Sequence, residues 1–138
     1  MKVFLDANVL VSVLNKEYPL FPHSARILSL ADQRRFQLYT TPIGLAIAFY
    51  FAEKKCGTAQ AKQKMQVLSS KLHIAAVDSQ TVTNAVSNHS VMDFEDGLEY
   101  YSALQHDCKA IITEDSEGFY FSEIPVLDCR KFREEVVF

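Results

Sequence analysis

The apolar positions of this 138-residue chain change period repeatedly, and the changes mark out alternating strands and helices. Val3, Phe4 and Leu5 are consecutive apolar residues of high strand propensity and predict a short buried strand over residues 2–5. The run stops at Asp6. A second apolar run, Val9 to Leu14, predicts a short helix over residues 7–14. Pro19 and Pro22 then mark a loop. From His23 to Arg35 the apolar stripe Ile27, Leu28, Leu30 and Ala31 is helical. Residues 37–41 (QLYTT) read as a second strand. Thr41 suits a helix cap and Pro42 the first turn behind it. The helix they open, IGLAIAFYFAEKK, is apolar on nearly every side until Glu53, which predicts a central, buried element ended at Cys56-Gly57.

The second half continues the alternation. Thr58 caps a helix whose inner face is Ala61, Met65 and Leu68. Residues 72–77 (LHIAAV) read as a third strand, and Asp78 or Ser79 caps a helix running to about residue 88. A helix over residues 93–107, a strand over 109–113, a strand over 124–127 and a helix over 131–135 complete the chain. Strand and helix alternate throughout, the signature of an α/β fold with a parallel sheet covered on both faces. With no repeat, low-complexity tract or linker, the expectation is one domain over residues 1–138.

Composition narrows the classes. Nearly half the residues are apolar and 12% are aromatic, which argues against disorder. No apolar run approaches the ~20 residues that span a bilayer, and the N-terminus lacks the regions of a signal peptide. The expectation is a cytoplasmic protein with no membrane partner. Cys56, Cys108 and Cys129 are widely spaced and form no CxxC pair, which argues against a disulfide framework or a cysteine zinc site. The four histidines form no metal-binding cluster. A net charge of −3 shows no basic nucleic-acid face in bulk, although phosphate contacts can run through a bound cation.

Acidic residues stand out by position. Asp6 ends the first strand, and Asp115 follows the fourth within TEDSEGF. In a parallel sheet those strand ends share one edge, where α/β sheets bind ligands. The segment MDFEDGLEY adds Asp93, Glu95, Asp96 and Glu99. Asp93 and Asp96, three apart, lie near one helix face; Glu95 points elsewhere, and Glu99 can return towards Asp96's side. Unpaired carboxylates repel one another, and a divalent cation with a preference for oxygen ligands reverses that cost. Such a cation can orient a phosphodiester, activate water and stabilise the leaving oxygen. Position alone also allows a plain structural reading: Asp6 and Asp93 as helix caps, Asp115 as a turn residue, Glu95 and Glu99 as a solvated helix face.

LDANVL at residues 5–10, DFEDGLEYYSAL at 93–104 and IITEDSEGF at 111–119 resemble, in order and interval, the three motifs of PIN domains, most closely the small bacterial proteins related to VapC-like toxins. The resemblance covers essentially the whole chain. It implies a three-layer α/β/α sandwich around a central parallel sheet of about five strands. It implies Mg²⁺- or Mn²⁺-dependent cleavage of RNA, with an antitoxin protein restraining the toxin members, and a homodimer. By that likeness Asp6, Asp96 and Asp115 hold the metal, Asn8 and Thr113 support the site, and Asp93 supports or caps it. Two departures follow from the same likeness. The helix after the second strand has no glutamate around residues 46–48, and Glu53 lies two turns later. Gly118 stands before Phe119 where an aspartate is common. Two functional readings result: an active metal-dependent endoribonuclease, or a degenerate PIN domain that binds RNA or a protein partner without cutting.

Overall fold

The computed structural model describes residues 1–137; Phe138, included in the expected domain, lies outside the described residues. Five strands form one parallel sheet: β1 (Lys2–Leu5), β2 (Gln37–Thr40), β3 (His73–Ile74), β4 (Ala110–Ile112) and β5 (Val126–Leu127), in the order β3-β2-β1-β4-β5. Val3 pairs with Leu38 on one side and Ala110 on the other. The chain builds outwards from β1 to β3, then crosses to the far side of β1 for β4. The β1/β4 junction is therefore the point where strand order reverses, and its carboxyl edge opens a crevice.

Side-chain alternation assigns the two faces of the sheet. Val3, Leu5, Leu38, Ala110 and Ile112 belong to one core with helices α1 (Ala7–Leu14), α2 (Phe21–Ser29), α3 (Pro42–Cys56), α4 (Thr58–Ser70) and α7 (Cys129–Phe132). Phe4, Tyr39 and Ile111 belong to the other, with Tyr100 and Ala103 of α6 (Phe94–Gln105) and with Phe119. Helix α5 (Ser79–Ser87) packs on α6. Helices thus cover both faces, as the α/β/α expectation requires. Phe4 is fully buried, and burial of such a side chain contributes about 2–3 kcal/mol.

Several local expectations change. Pro22 sits inside the first turn of α2, where its missing N–H costs nothing, so the helix starts before the expected His23. It ends at Ser29 and tightens into a 3₁₀ turn over Leu30–Asp32. Thr41 caps α3 as expected, accepting from the Gly44 N–H at 3.0 Å. But α3 is not buried all round: Gly44, Ala48 and Ala52 form the inner face, while Tyr50 and Phe51 are exposed. Small residues let α3 lie close against α1, with Leu45 and Phe49 packed part-buried against the core beside them. The third strand shrinks to His73–Ile74, an exposed edge pair, and beyond it the Ala76 carbonyl accepts from the Ser102 hydroxyl of α6. Gly57, at φ 85°, precedes α4 and takes the capping position expected of Thr58. The last helix begins at Cys129, two residues early, because Asp128 caps it. A π-helical turn continues it over Arg133–Val137.

Candidate metal centre

The carboxyl edge of β1 and β4 carries the site. Asp6 follows β1 directly and caps α1 by accepting from the Ala7 N–H at 2.7 Å. Capping and site formation are therefore one geometry: the cap fixes Oδ1 and leaves Oδ2 for the crevice. Thr113, fully buried just beyond β4, donates its hydroxyl to Asp6 Oδ2 at 2.8 Å. The Asn8 amide donates to Thr113 Oγ1 at 3.1 Å and reaches Asp6 Oδ2 at 3.4 Å. The Asp115 N–H donates to Thr113 Oγ1 at 3.0 Å, and the Glu114 N–H to Asn8 Oδ1 at 3.2 Å. This network ties the ends of two adjacent strands together and gives Asp6, Asn8 and Thr113 little freedom.

Helix α6 supplies the opposite wall. Asp93 is its N-cap, accepting from the Asp96 N–H at 3.2 Å. One turn in, Asp96 turns its half-buried carboxylate towards Asp6. A further turn along, Glu99 is fully buried. Ligand atoms of Asp6, Asp96 and Glu99 lie within 4.8 Å of one another. Glu95 is exposed on another face of the helix. Asp115 stands exposed at the rim. Its carboxylate and that of Asp96 flank Gly118: a Cβ there would lie 2.6 Å from Asp96 Oδ2 and 3.4 Å from Asp115 Oδ2. The glycine departure from the motif thus serves close approach. Glu114 is turned away, accepting from the Cys129 N–H at 2.9 Å.

Of the six residues picked out in the sequence, Asp6 and Asp96 converge, Asn8 and Thr113 hold Asp6, Asp93 opens the helix, and Asp115 borders the mouth. Spacing leaves Glu99 between Asp96's side of the helix and a solvated face, and its complete burial overturns the solvated face. Asp93, Asp96 and Glu99 repeat every three residues, and in the fold Glu99 lies between Leu98 and Tyr100, both buried.

Among the described residues, the two ion pairs are Lys71–Asp32 and Arg130–Glu134, so neither neutralises this cluster. Charges 4.8 Å apart repel by about 3 kcal/mol at an effective dielectric of about 20. Burial, and then the charges of Asp93, Asp6, Glu95 and Asp115, push the Asp96 carboxyl up to about 7. Burial and the facing Asp6 push Glu99 well above the carboxylate range. As carboxylate oxygens, both Oε atoms of Glu99 lack a donor. A convergent set of oxygens, one pair buried and orphaned, with no cation beside it, fits a hard divalent ion.

The cysteines stand outside this chemistry. All three are free; burial pushes the Cys108 thiol up to about 12 and raises that of Cys129 as well. No helix among the described residues is long and apolar enough to cross a membrane.

Comparison with known proteins agrees with the geometry. The chain is 26% identical over 137 residues to "Ribonuclease VapC1" of Aquifex aeolicus (strain VF5), covering 96% of this chain and 94% of that protein. Its fold matches VapBC-1 from nontypeable Haemophilus influenzae with a TM-score of 0.71 and 15% identity, over 94% of this chain and 99% of that one. It matches VapBC2 from Rickettsia felis, solved with a DNA fragment from their promoter, with a TM-score of 0.69 and 18% identity, over 93% and 98%. The PIN domain family model matches residues 2–117, and this chain belongs to the PIN domain family.

Proposed function

We propose that the protein is a metal-dependent endoribonuclease, the toxin of a toxin–antitoxin pair, with the whole chain 1–138 acting as one PIN domain in the cytoplasm. The observation that carries the reading is the meeting of Asp6 and Asp96, unpaired with any cation among the described residues, at the β1/β4 switch point of a chain similar along its length to a ribonuclease. The assignment of roles follows the family likeness, and the convergence of Asp6 and Asp96 supports it. Asp6, Asp96 and Asp115 hold Mg²⁺ or Mn²⁺ at the crevice. A divalent ion there supplies Lewis-acid activation of water and neutralises charge developing on the phosphate.

The chain's own residues do the rest. Thr113 and Asn8 fix the Asp6 carboxylate, so that no reorganisation is needed as RNA arrives. Asp93 anchors the first turn of α6 and so sets the height of Asp96. Asp115 lies on the open side, where the RNA phosphate approaches. An antitoxin partner is supported by the resemblance to toxin–antitoxin proteins and by the matched VapBC structures. A second copy of the chain is supported by the exposed aromatics Tyr50 and Phe51 on α3.

One observation favours a second reading. The only acid of α3, Glu53, sits in the helix's last turns and accepts from Thr58 Oγ1 at 2.8 Å, far along the helix from Gly44 and the site. A chain with a depleted ligand set would bind RNA or a protein partner without cutting. Incubation of single-stranded and hairpin RNA with antitoxin-free protein in Mg²⁺ or Mn²⁺, beside EDTA, separates the two. Cleavage that EDTA abolishes supports the nuclease. RNA binding without cleavage supports the degenerate domain.

A further inference from the structure

We propose that Glu99 is a metal-holding acid of this chain, delivered from α6 to a position beside Gly44 of α3. The assignment rests on the metal-site reading above and extends its ligand set. Three observations support it.

The first is burial without partners. Glu99 has no exposed surface, and neither of its side-chain oxygens meets a donor. A fully buried carboxylate with no partner is costly, so the site must supply a proton or a cation. The second is direction. The Glu99 carboxylate joins those of Asp6 and Asp96, with ligand atoms within 4.8 Å. The third is the opposite wall. A Cβ on Gly44 would stand 3.5 Å from Glu99 Oε1 and 2.7 Å from Thr40 Oγ1. Thr40 is itself fixed, donating its hydroxyl to the Leu5 carbonyl at 3.2 Å. A side chain at residue 44 would therefore press on Thr40, and its Cβ would come into ordinary contact with Glu99. The start of α3 thus lies beside the Glu99 carboxylate, and α6 provides the acid that α3 does not. The inner ligand set becomes Asp6, Asp96 and Glu99, with Asp115 at the mouth.

A merely structural role predicts something different. A protonated Glu99 would donate to Asp6, and a glutamine amide can make the same hydrogen bond. The test is calorimetric titration of Mn²⁺ into wild type, Glu99→Gln and Asp6→Asn at pH 8, with circular dichroism confirming the fold of each. Loss of a ligand weakens Mn²⁺ binding by at least about tenfold, since even supporting residues of metal sites cost that much. Glu99→Gln and Asp6→Asn should both show it. Glu99→Gln that binds Mn²⁺ like wild type, while Asp6→Asn does not, overturns the assignment and leaves the metal site standing. Wild type that binds Mn²⁺ through Glu99 but leaves RNA intact upholds the assignment and removes the ribonuclease reading. If Glu99→Gln fails to fold, ¹³C NMR of wild type decides. The Glu99 carboxyl carbon should shift on saturation with Mg²⁺, and an unmoved signal overturns the proposal.

Discussion

Metal binding at this site should be strongly pH-dependent around neutrality, and the size of the effect follows from Asp96. Its carboxyl is pushed up to about 7 by burial and by the surrounding acids. A hard cation needs the carboxylate, so metal and proton compete for the same oxygens. At pH 8 a group titrating near 7 is about nine-tenths ionised, and at pH 6 about one-tenth. Between those values the apparent Mn²⁺ affinity should fall about tenfold from Asp96 alone, about 1.4 kcal/mol. Glu99, raised for the same reasons, adds to the loss in the same direction. The metal-free fold shows the opposite dependence. Asp96 binds its proton more tightly folded than unfolded, so its stabilising contribution is complete below about pH 4. That contribution is lost as pH rises towards about 7. Isothermal calorimetry with Mn²⁺ at pH 6, 7 and 8, in two buffers of different ionisation enthalpy, reads both affinity and protons released. Between one and two protons released at pH 6, with affinity rising towards pH 8, is the expected result. The same affinity at pH 6 and 8, with no proton release, would refute the electrostatic account of the cluster.

Other perturbations test separate parts of the site. Gly118→Ala places a methyl 2.6 Å from Asp96 Oδ2, so it should weaken Mn²⁺ binding while barely shifting the melting temperature; calorimetry beside a thermal melt reads both. Thr113→Val removes the donor to Asp6 and the acceptor for Asn8 and the Asp115 N–H. Leaving the buried Asp6 carboxylate and its partly buried neighbours short of a partner should cost about 1–3 kcal/mol in urea unfolding, and metal affinity should fall about 10–100-fold. Asp93→Ala deletes the α6 cap and should cost about 1 kcal/mol. Its effect on Mn²⁺ affinity should be smaller than that of Asp96→Asn, because Asp93 reaches the site through the backbone of the first turn.

The sheet was legible wherever a strand is buried on both faces. Val3 to Leu5 and Ala110 to Ile112 are unbroken apolar runs because helices cover both sides of the sheet. β3 was harder to bound, since its paired residues His73 and Ile74 lie exposed at the sheet edge and burial leaves no pattern there. Helix α3 misled for a related reason. Its apolar residues surround the axis, yet only the small ones are fully buried, while Leu45 and Phe49 pack part-buried against the core and Tyr50 and Phe51 face outwards. In the site, Asp6 could be found because an acid ending a buried strand is conspicuous. Glu99 could not be separated from a solvated helix face by spacing alone. Its burial depends on the approach of α6 to Gly44 and Thr40, more than fifty residues away in the chain. Gly118 likewise reads as a missing acid in the sequence and as room for Asp96 in the fold.

The most direct test of the central claim compares cleavage with metal occupancy. RNA cleavage rates of wild type and Asp96→Asn are measured against Mn²⁺ concentration and set beside the calorimetric Kd of each protein. The account predicts that half-maximal cleavage in wild type falls at its Kd, and that both move together to higher Mn²⁺ in Asp96→Asn. Cleavage that persists in EDTA, or that is indifferent to Asp96→Asn while Mn²⁺ binding is weakened, would contradict it.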